Sequence, residues 1–244
     1  MELRETPYTS PMVELVVSVI RRCLIAMLGF LFFGGDTGQA HATKPAGASA
    51  GVFRVGEGQL SAHPYGVKLA GEWRFAWGKA LEPAPWVELV RNMPEVAPIP
   101  GAWADIPSNT EPGGYRSESG YASYALRLDD VPVDQPLVFL ARGICTAATL
   151  YVLNEDGRIL TRATRGKSSV DADDEIPIFY RTLSAELSNQ HNLSQSETNS
   201  LVLLLQVSNH HMPRGGMGEP PMLMTREQLH IDLAYQSLLR NLIF

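Results

Sequence analysis

Three basic side chains follow the most apolar run of the sequence. Six of the seven residues in 201–207 are aliphatic, and His210, His211 and Arg214 come a few positions later. An aliphatic run of this length predicts a strand buried on both faces. Asn209, directly before the histidines, favours a turn. The pattern predicts a core strand that ends at a ligand-binding rim, and the alternative is a solvated loop of polar residues.

Arg214 is the strongest of these candidates for contact with a ligand. A guanidinium is a planar fork of donors that suits a carboxylate or two neighbouring hydroxyls. Its alternative role is structural, because it precedes Gly215 and Gly216 and could bond the carbonyls of that loop. The two histidines would make the site sensitive to pH, since imidazole titrates near neutrality.

Aromatic and polar side chains elsewhere could complete such a site. A sugar or similar polar metabolite is usually held by an aromatic ring face beside fixed hydrogen-bonding groups. Trp77 ends a run with aromatic residues at alternate positions, and Tyr121 and Arg127 share the polar face of another predicted strand. The predicted residues for a small-molecule ligand, a carbohydrate or an organic acid, are Arg214, His210, His211, Tyr121, Arg127 and Trp77.

The motifs of common catalytic and metal sites are missing. The sequence contains no P-loop, H-E-x-x-H or C-x-x-C motif. His210 and His211 are adjacent, so strand-like geometry would point their rings to opposite sides, which makes a poor metal pair. The carboxylates of residues 171–175 could bind calcium, although a solvated acidic loop is the commoner meaning of such a cluster. We predict a non-catalytic chain without a metal or cofactor.

Composition argues against nucleic acid as a partner and for a β-rich fold. The formal charge is −6 and Lys and Arg form no block, whereas binding to phosphates requires a basic surface. The 21 Gly and 17 Pro residues are spread along the chain, which predicts many turns and few long helices.

The N-terminal residues have the pattern of an export signal. Arg21 and Arg22 precede the short apolar run 23–33, and residues 40–42 read Ala-His-Ala. This order of positive charge, apolar segment and small-residue cleavage site predicts a signal peptide over 1–42, with an uncleaved signal anchor as the alternative. The mature chain would be periplasmic or extracellular, and Cys145 would have no partner for an internal disulfide.

Alternating and apolar patterns predict strands over 67–77, 121–128, 137–140 and 149–153. An Asp-Gly pair at 156–157 then predicts a hairpin. The proline-rich stretch 81–107 predicts an ordered crossing loop. Around these strands we expect a linker over 43–57 with one short strand, a domain over 58–227 and a short C-terminal helical tail over 228–244.

Several segments of the sequence resemble a known family. They read KLAGEWRFAWGKALEP, PIPGAW, GYASYALRL, LVFLARGICTAATLYVLNEDGRI and LLLQVSNHHMPRGG. Together they resemble the extracytoplasmic domain of bacterial receptors with seven transmembrane helices and diverse intracellular signalling modules. That resemblance implies an all-β, jelly-roll β-sandwich like the galactose-binding domains of glycosidases. It covers residues 65–227.

The resemblance implies a sensing function, with an alternative. In the family, such domains often precede seven membrane helices and a nucleotide cyclase, a diguanylate cyclase or a histidine kinase. We expect the chain to sense a ligand in such a membrane receptor, with residues 228–244 approaching a first membrane helix. The alternative is a secreted carbohydrate-binding module without a signalling output.

Overall fold

The computed structural model describes residues 47–56, 58–110, 113–132, 135–179, 181–187 and 200–243. The predicted signal peptide over 1–42 lies outside these residues. The strands, in chain order, are β1 (Val52–Arg54), β2 (Val67–Lys68), β3 (Gly71–Trp77), β4 (Glu95–Ile99), β5 (Gly101–Ala102), β6 (Gly120–Asp129), β7 (Leu137–Ala141), β8 (Ile144–Cys145), β9 (Ala147–Leu153), β10 (Ile159–Arg165), β11 (Leu183–Glu186), β12 (Leu201–Asn209), β13 (Gly216–Met217) and β14 (Met222–Thr225). The helices are α1 (Gln59–Ala62), α2 (Trp86–Asn92) and α3 (Arg226–Ile243), with single 3₁₀ turns at Trp103–Asp105 and Ala172–Asp174.

The aliphatic strand β12 lies inside the larger sheet. The order of that sheet is β10-β9-β12-β6-β3-β4, with β1 pairing in parallel with the far end of β6. β12 is antiparallel to both of its neighbours, and every residue from Leu201 to Asn209 is buried. The predicted core strand is therefore confirmed.

A smaller sheet, in the order β11-β7-β14-β2, covers one face of the larger sheet. Side chains from both sheets form one continuous core, to which the larger sheet contributes Trp73, Phe75 and Tyr124 and the smaller sheet Phe139 and Leu223. All five are fully buried. The described part of the chain is thus an all-β sandwich, as the sequence predicted. The aromatic alternation in β3 packs into its core.

The outer face of the larger sheet is also covered, which the sequence did not predict. Strand β6 was expected to be half-buried, with its polar face toward water, yet Tyr121 and Ser123 on that face are buried. Residues 81–93, which include α2, pack over this face and add a second apolar cluster around Leu89 and Met93. The Ser123 hydroxyl donates to the Lys79 carbonyl at 2.7 Å, and so fixes the start of this segment.

The proline-rich stretch is more regular than a crossing loop. It contains helix α2 and the strand β4, which lies at the edge of the sheet beside β3. An edge strand can contain proline because one side of its backbone has no ladder to complete. The sequence predicted an ordered crossing loop here, so the helix and the edge strand were missed.

The domain begins before the expected boundary at residue 58. Phe53 and Val55 are buried in the main core, and β1 pairs with β6. Ala48 forms a bridge with Gly71, where an added Cβ would lie 2.3 Å from the Ala48 carbonyl oxygen. The described residues of the expected linker are therefore an integral part of the sandwich.

Helix α3 is joined to the sandwich at its first two turns. Thr225 and Gln228 cap the helix reciprocally, with N–H···O distances of 2.8 and 3.2 Å. The Gln228 amide also donates to the His63 carbonyl at 2.8 Å, and the buried Asp232 pairs with Arg142. Its second half exposes apolar side chains such as Tyr235 and Leu238. None of the described helices is long and apolar enough to cross a membrane.

Substitution of Tyr124 should test a hydrogen bond within the main core. The Trp103 indole donates to the Tyr124 hydroxyl at 2.6 Å, and both side chains are fully buried. Tyr124→Phe leaves the indole N–H without its acceptor, so the free energy of unfolding should fall by about 1–3 kcal/mol in urea denaturation. Tyr115→Phe, at an exposed tyrosine, is the control and should change it by less than about 0.5 kcal/mol. Equal effects would show that the bond contributes nothing.

Alkaline pH should destabilise the domain through two buried tyrosines. Burial raises the pKa of Tyr121 and of Tyr124 above the ordinary tyrosine range, although hydrogen bonds from Ser168 and Trp103, respectively, act in the opposite direction. Their contribution is complete below about pH 10 and is lost as the pH rises, because the unfolded tyrosines ionise first. We expect each of the two tyrosines to lower the free energy of unfolding by up to about 1.4 kcal/mol per pH unit above pH 10.

Urea denaturation at several alkaline pH values measures this loss. Tyr121→Phe should make the free energy of unfolding fall less steeply with pH above pH 10. A slope that the substitution leaves unchanged would contradict the assignment.

Candidate functional site

The turn after β12 is held by the side chain of Asn209. The Asn209 amide donates to the carbonyls of Glu118 and Met212, each at 2.9 Å, and its oxygen accepts from the Met212 N–H at 3.0 Å. Asn209 is fully buried. The residue shapes the turn through these side-chain bonds, and its φ is not positive.

Two glycines then carry the chain past a buried tryptophan. A Cβ on Gly215 would lie 2.1 Å from the Trp103 ring. Gly216 has a φ of 114°, and its Cβ would lie 2.6 Å from the Gly101 carbonyl oxygen. No residue with a side chain fits either position without a shift of its neighbours. The glycines therefore allow the chain to reach the rim of the sandwich beside Trp103.

Beyond the glycines, the chain joins a small sheet in the order β5-β13-β8. Gly216 pairs with Ala102 on one side and with Cys145 on the other. This sheet brings together three segments that are far apart in the sequence. Their meeting creates an open cleft at the rim.

This cleft, the Arg214 cleft, has a volume of about 280 Å³. It is lined by Pro100, Gly101, Ala102, Asp105, Cys145, Arg214, Gly215, Gly216 and Gly218. Arg214 is exposed, and no hydrogen bond or ion pair within the described part of the chain involves its side chain. The structural role that the sequence left open, bonding to the loop carbonyls, is not seen. The cleft offers one guanidinium, the Asp105 carboxylate and mostly backbone groups.

The two histidines of the turn lie outside this cleft. The His210 N–H donates to the Glu175 carboxylate at 2.9 Å, and its ring Nε2 lies 3.1 Å from the Ser169 carbonyl oxygen. Because a carbonyl accepts, Nε2 is the donor in that contact. His211 is exposed. His210 thus fastens the loop that contains Ser169 and Glu175.

The predicted aromatic residues are built into the sandwich. Tyr121 is buried beneath the segments that cover the outer face, with Ser168 and Ser123 as hydrogen-bonding neighbours. Trp77 is half-buried and packs edge-on against Trp103, with ring centroids 5.0 Å apart. Trp77 therefore touches the ring that supports the glycine turn, one layer behind the Arg214 cleft.

Arg127 lies at the opposite end of the larger sheet. It pairs in register with Val202, whereas Gly120 pairs with Asn209 at the rim. The intervening length of strand is about 23 Å, at about 3.3 Å per residue. Arg127 forms ion pairs with Asp129 at 2.7 Å and with Glu155 at 3.1 Å. The structure thus does not bring the six predicted residues together, and Arg214 is the one that lines the cleft.

One carboxylate has a role that its sequence context hid. The side chain of Glu175 is completely covered and accepts hydrogen bonds from the Thr146 hydroxyl and the His210 N–H. Asp171, Asp173 and Asp174 remain exposed. Within the ranges described above, no three His, Cys, Asp or Glu residues are arranged to hold a metal ion. In the sequence, Glu175 is one of four carboxylates in a cluster, so its inward position gave no separate signal.

Cys145 is a second residue that the sequence analysis did not select. It is half-buried and lines both the Arg214 cleft and a neighbouring cavity. Burial raises the pKa of its thiol, and the charge of Arg165 lowers it in part. A raised pKa favours the neutral thiol, which is a poor nucleophile.

The residues 47–51 match the short pattern G-x-S-x-G, which some hydrolases use for a nucleophilic serine. That role requires a sharp strand-to-helix turn and a histidine base. Ser49 instead precedes strand β1, and its N–H donates to the Val52 carbonyl at 2.9 Å. Its side chain makes no hydrogen bond among the described residues. The match therefore lacks the geometry of a hydrolase site.

No protein-family model matches the sequence, and no curated protein matches it. Among solved structures, a β-glucuronidase from an uncultured Clostridium shows 18% identity and a TM-score of 0.42 over 65% of this chain and 28% of the enzyme. A β-glycosidase from Bacteroides vulgatus shows 13% identity, with a TM-score of 0.43 over 65% of this chain and 20% of the enzyme. A glycosyl hydrolase family 2 member from Bacteroides cellulosilyticus shows 11% identity, a TM-score of 0.44 and the same two coverages.

The chain thus spans less than a third of each of these enzymes. Likeness this weak assigns neither an activity nor a ligand to the chain. The sandwich fold is defined by the sheets of the chain itself.

A methyl group on Gly215 should disrupt the cleft, whereas one on Gly218 should not. The added Cβ meets the Trp103 ring at Gly215, but at Gly218 its nearest neighbour is 3.7 Å away. Gly215→Ala should therefore lower the free energy of unfolding by about 1–3 kcal/mol, as overpacking usually does. Gly218→Ala, on the same cleft, is the matched control and should cost less than about 1 kcal/mol. Urea denaturation measures both, and similar values would contradict the close approach.

Proposed function

We propose that the chain is the extracytoplasmic ligand-sensing domain of a membrane signalling receptor. Its ligand is a small polar metabolite, a sugar or an organic acid, that binds in the Arg214 cleft. The observation that supports this most directly is the exposed Arg214 guanidinium, which lines the cleft and makes no hydrogen bond or ion pair with the other described residues. A side chain with five donors and no partner of its own is suited to a ligand that brings acceptors.

The composition of the cleft fits a ligand with several polar groups. Arg214 donates hydrogen bonds, and the Asp105 carboxylate accepts them. The glycine-rich wall has no side chains of its own, so a ligand can approach the backbone closely. A sugar has hydroxyls that both donate and accept, so it can use donors and acceptors together. A carboxylate on the ligand would add a bidentate pair with Arg214.

The sensing role draws support from helix α3 as well as from the resemblance in sequence. The helix is joined to the sandwich by the Arg142–Asp232 ion pair and by the bonds of Gln228. If the helix has two positions relative to the sandwich, a ligand with unequal affinity for the two states would shift the population toward the state that it binds more tightly. The export pattern over 1–42 supports a periplasmic or extracellular location, where such receptors would meet their ligands.

Removal of the Arg214 guanidinium should weaken binding without changing stability. Arg214→Ala should lower the affinity for the best ligand in a panel of neutral sugars, uronic acids and small organic acids by at least about tenfold, or 1.4 kcal/mol. The melting temperature should stay the same, because Arg214 is exposed and has no partner among the described residues. Calorimetry gives the affinities and a thermal scan gives the stability.

Arg91→Ala is the matched control for this variant. Arg91 is also an exposed arginine, but it lies at the end of α2 rather than in the cleft. Its removal should leave the affinity within about twofold. If Arg214→Ala binds as the wild type does, or melts much earlier, Arg214 is not the ligand contact.

The signalling output has a simpler test. Reading the gene beyond Phe244 should reveal seven apolar spans followed by a cyclase or a histidine kinase. A stop codon there would favour a secreted carbohydrate-binding module.

A further inference from the structure

A second cavity adjoins the Arg214 cleft and shares Cys145 and Gly218 with it. Its volume is about 330 Å³. Its wall has an apolar part, formed by Ile144, Ile178, Phe179 and Met212, and a cationic part, formed by Arg142 and Arg165. The cavity thus combines an apolar wall with two guanidinium groups.

Arg165 is the unusual member of this wall. It is 4% exposed, although arginine is rarely so buried without an ionic partner. Its Nη1 donates to the Arg181 carbonyl at 2.8 Å, and its Nη2 donates to the Ile144 carbonyl. Its Nε is buried and has no hydrogen-bond partner. One nitrogen of this buried guanidinium is therefore without a hydrogen-bond partner.

The charge of Arg165 is also uncompensated. None of the ion pairs formed by the described residues includes it. Glu219 lines the same cavity but is exposed and makes no ion pair with Arg165. Arg142, by contrast, is neutralised by Asp232. Burial lowers the pKa of Arg165, and the main opposing influence is the Cys145 thiol.

We propose that this cavity is a binding site for a small carboxylate with an apolar body, and that Arg165 supplies the counter-charge. A carboxylate in the cavity would meet a buried cation that carbonyl oxygens solvate only in part, where the low polarity strengthens the attraction. Because Nε is covered from water, a direct bond to it requires a small rotation of the side chain. The apolar wall would cover the remainder of the ligand.

The site is distinct from the Arg214 cleft and does not depend on the function proposed for that cleft. Arg165, Ile178, Phe179 and Met212 line the second cavity but not the first. The competing explanation is that Arg165 is a structural strut between the Ile144 and Arg181 carbonyls. If Arg165 is only structural, the cavity should show no preference for a carboxylate. Binding of a carboxylate therefore distinguishes the two explanations.

Benzoate and benzamide form a matched pair of probes, because they have nearly the same shape and differ in charge. Calorimetry on the full chain should give a dissociation constant of about 1 mM or tighter for benzoate, a reasonable value for a ligand of this size. Benzamide should bind at least about tenfold more weakly. Equal affinities, or no binding of benzoate, would overturn the proposal.

Variants of the cavity wall locate the bound benzoate. Arg165→Met should lower the affinity for benzoate at least about tenfold, whereas Arg162→Met should leave that affinity within about twofold. Arg162 is the matched control, because it is an exposed arginine on the same strand and does not line the cavity. Met212→Trp, which fills the cavity and keeps Arg165, should also weaken binding. If Arg214→Ala weakens benzoate as much as these variants, the ligand lies in the first cleft and the proposal fails.

A measurement on the unmodified protein covers the case in which Arg165→Met does not fold. Cys145 lines the cavity, so bound benzoate should slow its alkylation by iodoacetamide, and benzamide at the same concentration should not. Mass spectrometry of the Cys145 peptide separates it from Cys23. Equal rates with the two probes would overturn the proposal.

Discussion

The need to cover strand β12 on both faces governs the rest of this structure. Leu203 and Leu205 face the main core, and Val202 and Leu204 face the second cluster, so neither face can meet water. Each such side chain contributes roughly 1.5–3 kcal/mol when it is fully buried. The smaller sheet covers the first face. The segment 81–93 covers the second, and Gln206 of β12 donates to its Leu81 carbonyl at 2.8 Å.

Because both faces of β12 are covered, the turn that follows it lies at the rim of the sandwich, and its path is restricted by the neighbouring residues. Asn209 closes the turn with three hydrogen bonds, and the chain then passes Trp103 so closely that only glycine fits at 215. Trp103 is itself held by Tyr124 of β6. The base of the Arg214 cleft is therefore held by close packing against the core. Such a base favours binding, because little conformational freedom is lost when a ligand arrives.

The buried charged side chains of the described residues all have hydrogen-bond partners, and Arg165 is the buried arginine among them without a carboxylate partner. Arg116 pairs with Glu95, Asp232 pairs with Arg142, and Glu175 accepts bonds from Thr146 and His210. A buried charge without such partners is costly, since the loss of hydration is not repaid. Arg165 has carbonyl partners alone, and its Nε, like that of Arg116, has no hydrogen-bond partner. The wall that contains it also contains Arg142, whose partner Asp232 belongs to helix α3.

The sequence alone determined the elements whose signal is local. The aliphatic run predicted β12, the aromatic alternation predicted β3, and the Asp-Gly pair predicted the β9–β10 hairpin, because side-chain periodicity and turn chemistry depend on near neighbours. The all-β class followed from the same signals. Arg214 was found for this reason too, since it lies directly beyond a strand that the sequence identifies.

The tertiary structure alone decided which side chains meet. Tyr121 and Arg127 share a face of β6, yet the outer cover buries Tyr121, and the register places Arg127 at the far end of the sheet. Glu175 looks like one member of an acidic loop, and Arg165 like an ordinary charge in a hairpin, until residues distant in sequence close over them. Burial and pairing across a sandwich depend on strand order and on the packing of loops. A linear pattern of residue types contains neither.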